Sequence, residues 1–129
     1  MATFEKFEDL EVWKLSMNLC IKIYSVTDEG KIKNDFSLRE QIRKSAISIP
    51  SNIAEGFERD SINQFIYFLN ISKGSCGELR TQIRIANSIS YISETTLNEL
   101  NDDCLNISKQ LKGFINYLTQ KKQNNINKK

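Results

Sequence analysis

Apolar residues recur along this chain at spacings of three and four, in four stretches separated by short polar breaks. That is the period of an α-helix with at least one buried face. The first stretch runs from about Asp9 to Thr27. At about 100° per residue, Leu10, Trp13, Met17, Cys20, Ile21 and Tyr24 share one stripe. Val12, Leu15, Leu19, Ile23 and Val26 share a second on nearly the opposite face, with Glu11, Lys14, Asn18 and Lys22 between them on one side. A helix on the outside of a small bundle needs one apolar stripe. The surplus stripe predicts contact with another chain, and a copy of the same chain is the simplest candidate.

Asp28 to Asp35, charged and holding Gly30, reads as a loop. Ser37-Leu38-Arg39-Glu40 then has the form of a capping box: the serine oxygen accepts from an orphan N–H while the glutamate reaches back. The helix that follows carries Leu38, Ile42, Ala46, Ile49, Ile53 and Phe57 on one face. Pro50 interrupts it. A complete break would make Ile49 the cap of a new helix, a role isoleucine fills poorly, so a kinked and continuous helix is expected. Ser61-Ile62-Asn63-Gln64 is a second capping box, and the short link before it forces the second and third helices into an antiparallel hairpin.

The third helix is expected over Ile62 to Ile92, about 45 Å long at 1.5 Å per residue. Its main stripe holds Ile62, Phe65, Leu69, Cys76, Leu79, Ile83 and Ala86; a weaker one holds Tyr67, Ile71, Ile85, Ile89 and Ile92. Thr96-Leu97-Asn98-Glu99 is a third capping box. Leu97, Leu100, Cys104, Ile107, Leu111, Phe114 and Leu118 then alternate three and four, as in a bundle seam. The pattern predicts an all-α, up-down-up-down antiparallel four-helix bundle over residues 1–119. Residues 120–129, rich in lysine and asparagine, are expected to form a frayed or disordered polar tail.

Composition agrees: 40% hydrophobic residues with one proline and five glycines describe an ordered helical chain. No apolar run approaches the roughly 18 residues that span a membrane, and the first residues lack the pattern of a signal peptide, so a cytoplasmic location is expected. The net charge of +2 does not by itself mark a nucleic-acid binder. It is unevenly spread, however. Residues 1–60 carry nine basic and eleven acidic residues, against nine and five in 61–129. That asymmetry points mildly to an acidic partner.

Catalytic chemistry finds little support. There is no histidine, no Gly-rich phosphate loop and no paired cysteine. No catalytic residue, metal site or cofactor is therefore expected. Cys20, Cys76 and Cys104 each fall on an apolar helical position and read as small core residues. Asp102 and Asp103 project at about 100° to each other and make no dyad.

Two sets of residues remain. Lys73, Arg80 and Arg84 share a narrow strip of the third helix, and Arg39 and Arg43 lie one turn apart on the second. Such rows suit regularly spaced phosphates, although no aromatics interleave with them for base stacking. The other set breaks helical propensity. Gly74 and Gly77, with Ser72 and Ser75, thin the third helix, while Gly56, Ser45 and Ser48 thin the second near Pro50. Each glycine costs about 1 kcal/mol in a helix interior, so a close approach of the two helices is expected there. Asn52, Glu55 and Glu78 sit beside these places as polar locks. An Arg–Glu network with Arg39, Arg43 and Arg80, within or between subunits, would satisfy the two carboxylates.

These residues resemble a known bacterial family, the four-helix-bundle proteins encoded by intervening sequences in 23S ribosomal RNA genes, also labelled S23 ribosomal proteins. The resemblance lies in Phe7-Glu8-Asp9-Leu10-Glu11-Val12-Trp13, in Ile23-Tyr24 and in Leu38-Arg39-Glu40-Gln41-Ile42-Arg43-Lys44-Ser45. Its most specific parts are Ser48-Ile49-Pro50-Ser51-Asn52-Ile53-Ala54-Glu55-Gly56, and Gly74-Ser75 followed by Glu78-Leu79 and Thr81. Ser16 and Ser45 stand where the family often has alanine. The resemblance implies a homopentamer of bundles without known enzymatic activity. A related group, the accessory variability proteins of diversity-generating retroelements, resembles basic pentamers that bind nucleic acid and a reverse transcriptase. The expected function is a non-enzymatic homo-oligomeric bundle that binds RNA or DNA through the basic residues of the second and third helices. A protein-interaction scaffold with no nucleic-acid role is the alternative, and an enzyme of unrecognised type a weaker third.

Overall fold

The computed structural model describes residues 4–127. Four helices account for most of them: α1 (Glu11–Val26), α2 (Phe36–Phe57), α3 (Ile62–Ser88) and α4 (Glu94–Asn127). Each packs on its sequence neighbour, and α1 packs on α4 to close the ring, as the expected four-helix bundle requires. The core faces read from α2, α3 and α4 are the observed ones. Ile42, Ala46, Ile49 and Ile53 meet Leu69, Cys76, Leu79 and Ile83, with Leu97, Leu100, Cys104, Ile107 and Leu111 opposite.

In α1 the two stripes both contribute to the core. Val12, Leu19 and Ile23 of the second and Leu10 and Cys20 of the first turn inward, whereas Ile21 is 64% exposed and Tyr24 is exposed as well. Ser16, fully buried, satisfies its hydroxyl on the Trp13 carbonyl at 2.8 Å. Lys22 anchors the other edge of α1 to α4, with Nζ 2.9 Å from Asp103 and 3.2 Å from Glu99. Its hydrogen bond to Asp103, then that to Glu99, raises the Lys22 pKa.

Two of the three capping boxes are misplaced. Asp35, rather than Ser37, caps α2: its carboxylate accepts from the Leu38 N–H at 3.1 Å. Ser93, rather than Thr96, opens α4 by accepting from the Thr96 N–H at 3.1 Å. Neither true cap has Glu or Gln three residues on, so the reciprocal pattern pointed to Ser and Thr residues already inside the helix. Ser61 does cap α3, through Gln64 N–H at 3.3 Å. The loop before α2 contains a 3-10 turn, Lys31–Asn34, entered through Gly30 at φ 68°, and it buries Ile32 in the core.

The third helix stops at Ser88, short of Ile92. Ser90 adopts a left-handed φ of 65°, and the N–H groups of Ser90 and Tyr91 return to the carbonyls of Asn87 and Ala86 at 2.9 and 2.8 Å. That is a Schellman turn with serine in the position glycine usually takes. Tyr91 then donates its hydroxyl to Asp35 at 3.0 Å, tying this turn to the start of α2. At the other end of the bundle, Phe7, Phe57, Phe65 and Phe114 form a chain of ring contacts with centroids 6.4, 6.0 and 5.2 Å apart.

The expected disordered tail is corrected in part. α4 continues to Asn127, although Leu118 is its last buried residue. Gln and Lys are good helix formers, no glycine or proline stops the helix, and Gln120 bonds Asn124 one turn on at 3.2 Å. Residues 128 and 129 lie outside the described residues. Among the described residues no helix is long and apolar enough to cross a membrane.

Candidate nucleic-acid interface

The five basic candidates do not form one surface. Arg43 lies on the α1 side of α2, where its Nε donates to Thr27 Oγ1 at 2.8 Å and its guanidinium covers the Tyr24 ring at 4.3 Å. Arg39, one turn earlier, bonds the Lys33 carbonyl at 2.8 Å and stacks over Phe36 at 5.0 Å. Both arginines are therefore engaged in holding the loop and the α2 start. Phe36 is 68% exposed, so this end does present an aromatic beside basic groups, which the strip pattern alone did not reveal.

Lys73, Arg80 and Arg84 occupy the opposite side, along the edge of α3 that meets α4. Arg80 Nε donates to Asn101 of α4 at 3.0 Å. Arg80, Thr81, Arg84, Ser88 and Asn101 line a shallow groove in which no carboxylate takes part. Arg84 is exposed and makes no ion pair among the described residues. Asn101 was missed from sequence because an asparagine on an amphipathic helix carries no distinguishing signal. Beneath this edge, burial pushes the Cys76 and Cys104 thiols up to about 12, although Lys73 and Arg80 favour the Cys76 thiolate.

The motif residues separate into three groups. Around Pro50 the seam between α2 and α3 is held by hydroxyls. Ser72 donates to the Ile49 carbonyl at 2.9 Å, Ser75 to Ser48 Oγ at 2.9 Å, and Asn52 Nδ2 reaches Ser48 O and Oγ at 2.8 and 2.9 Å. Pro50 sits in a continuous α2, as expected. Gly56 marks a close approach: an added Cβ would lie 2.9 Å from both Phe65 Cδ1 and Phe68 Cβ.

Gly74 and Gly77 do not behave this way. An added Cβ at either meets nothing within 4 Å, so these glycines face outward and the serines beside them make the contact. The spacing argument failed because Ser72 and Ser75, rather than Gly74 and Gly77, fall on the side of α3 turned to α2. The carboxylates are likewise not interhelical locks. Glu55 pairs with Arg59, one turn on and just past the end of α2, at 2.7 Å, and Glu78 is exposed without an ion pair among the described residues. None of Arg39, Arg43 and Arg80 reaches either of them within the chain. Among the described residues, no group of His, Cys, Asp and Glu is placed to hold a metal ion.

This arrangement has known counterparts. No curated protein matches the sequence. A crystal structure of a protein of unknown function from the S23 ribosomal protein family, from Bacteroides thetaiotaomicron, is similar to the chain, with a TM-score of 0.74 and 26% identity. The match covers 81% of this chain and 97% of that one. The family model for the 23S rRNA-intervening sequence protein matches residues 8–113, which include Pro50, the serine seam and the α3 basic strip. The chain belongs to the 23S rRNA-intervening sequence protein family.

Proposed function

We propose that the chain is a non-enzymatic, self-associating helical bundle, pentameric as the family resemblance implies, that holds RNA or DNA along the α3–α4 edge. The observation that supports nucleic-acid binding is the row of Lys73, Arg80 and Arg84 beside a groove free of carboxylates. Three cations on one strip of a helix, about two turns and then one turn apart, suit a phosphate backbone, which they read by charge and not by sequence. Arg39 and Arg43, bound into the α1–α2 side, contribute less. Self-association is supported by the apolar residues left outside the core and away from that groove, among them Ile21, Tyr24 and Tyr67.

Binding of a structured RNA and of a DNA duplex, followed by fluorescence polarisation from low to moderate salt, tests this reading. Arg84→Ala should lower the slope of log affinity against log salt by about one. Absence of binding at low salt sinks the nucleic-acid reading. It would leave the protein-interaction scaffold, which the same exposed apolar residues favour.

A further inference from the structure

Tyr67, Ile71, Gly74, Glu78, Gln82 and Ile85 follow one another on α3 at spacings of four, three, four, four and three. That is a second bundle-type seam, and it is not the one that packs in the core. Tyr67 and Ile85 are exposed, and the space over Gly74 is open. The seam is apolar at its ends and polar at its centre. At that centre, Glu78 and Gln82 border a groove between α2 and α3. Glu78 is exposed and has no ion pair among the described residues. Lys44 borders the same groove but does not pair with Glu78. An exposed carboxylate without an ion pair at the centre of an apolar seam suits a cationic donor from another chain.

α1 carries a complementary line. Lys14, Met17, Ile21 and Tyr24 follow at spacings of three, four and three, with Ile21 and Tyr24 exposed. Lys14 is exposed and unpaired among the described residues. The two seams lie on different helices and differ in charge, which suits a head-to-tail contact between copies.

We infer that the outer seam of α3 is the docking surface for the α1 seam of a second copy, with Lys14 of that copy closing on Glu78. The inference rests on the self-association reading and names the surfaces and the latch. A polar pair in the middle of an apolar seam fixes register, as a single buried polar residue does in coiled coils.

Sedimentation velocity of the full chain, with Lys14→Glu, Glu78→Lys and the double reversal, provides the test. The wild-type chain should sediment as an oligomer of the 14.9 kDa protomer. Each single reversal should weaken association at least tenfold, with far-UV circular dichroism unchanged, and the double reversal should restore it. Ile85→Asp, which keeps the latch and breaks the seam, should also dissociate the assembly. A wild-type monomer overturns self-association itself. An oligomer indifferent to both single reversals overturns the latch while self-association stands. Failure of the double reversal to restore assembly overturns the pairing of Lys14 with Glu78.

Discussion

Cys20 donates its thiol proton to the Ala46 carbonyl, 3.0 Å away and on the neighbouring helix. Ala46 lies four residues before Pro50, which has no N–H to complete the helical hydrogen bond. The thiol therefore serves the carbonyl that the proline leaves free. The same cysteine that reads from sequence as a small core residue compensates for the helical hydrogen bond that Pro50 cannot make.

This relationship predicts a coupling. Cys20→Ala should destabilise the fold by about 1–3 kcal/mol, the cost of an unmet buried acceptor plus a small loss of packing. In a Pro50→Ala background, where residue 50 regains its N–H, that penalty should shrink. Urea melts of the two single variants and the double measure it; equal penalties in both backgrounds would break the link.

The glycines should divide by direction. Gly56→Ala forces a Cβ to within 2.9 Å of Phe68 Cβ and 3.2 Å of the Phe65 carbonyl, so a loss of about 1–3 kcal/mol is expected. Gly77→Ala, in open space, should add up to about 1 kcal/mol through helix propensity. Thermal melts that ranked the two alike would contradict the orientation of α3.

The caps give a similar contrast. Asp35→Ala should cost about 1 kcal/mol, through the lost bond to the Leu38 N–H together with the lost acceptor for Tyr91. Ser37→Ala, exposed and inside the first turn, should change stability by less than about 0.5 kcal/mol. Equilibrium denaturation separates them.

Burial raises all three thiols, Cys20 to about 11 and Cys76 and Cys104 to about 12, from an ordinary 9.0. The unfolded chain therefore loses these protons first as pH rises. The stability they contribute is complete below about pH 9 and is lost as pH climbs through 11 to 12. Below that window an exposed-thiol reagent should label the native protein slowly and the urea-unfolded chain at all three cysteines. Rapid labelling of the folded protein would contradict their burial.

Arg43 and Arg84 should fail in different assays. Arg43→Ala removes a bond to the buried Thr27 and the cover over Tyr24, so about 1–2 kcal/mol of stability should go with it. Arg84→Ala should leave the melting curve within about 0.5 kcal/mol and act only on the salt-dependent binding.

Much of this architecture is written in local pattern. Ile42, Ala46, Ile49 and Ile53, or Leu97, Leu100, Cys104 and Ile107, repeat at a helical period and leave no other way to bury themselves together, so helix number and core face follow from spacing. Caps were legible where Ser61 carries the usual pattern and were missed where Asp35 and Ser93 act without a reciprocating Glu or Gln. The candidate site was only half legible. Spacing placed Lys73, Arg80 and Arg84 on one strip, but separating Arg39 and Arg43 from them required the positions of Thr27, Tyr24 and Asn101.

By itself the sequence determined four amphipathic helices, their order, the unbroken passage of the second through Pro50 and the family to which the chain belongs, because each of these resides in residues close along the chain. Tertiary structure alone decided which residues of the two α1 stripes enter the core, that Ser72 and Ser75 face α2 while Gly74 and Gly77 face outward, and that Cys20 serves the carbonyl freed by Pro50. Those outcomes depend on the rotation of one helix against another. That rotation is set by the summed packing of all four, and no single stretch of sequence contains it.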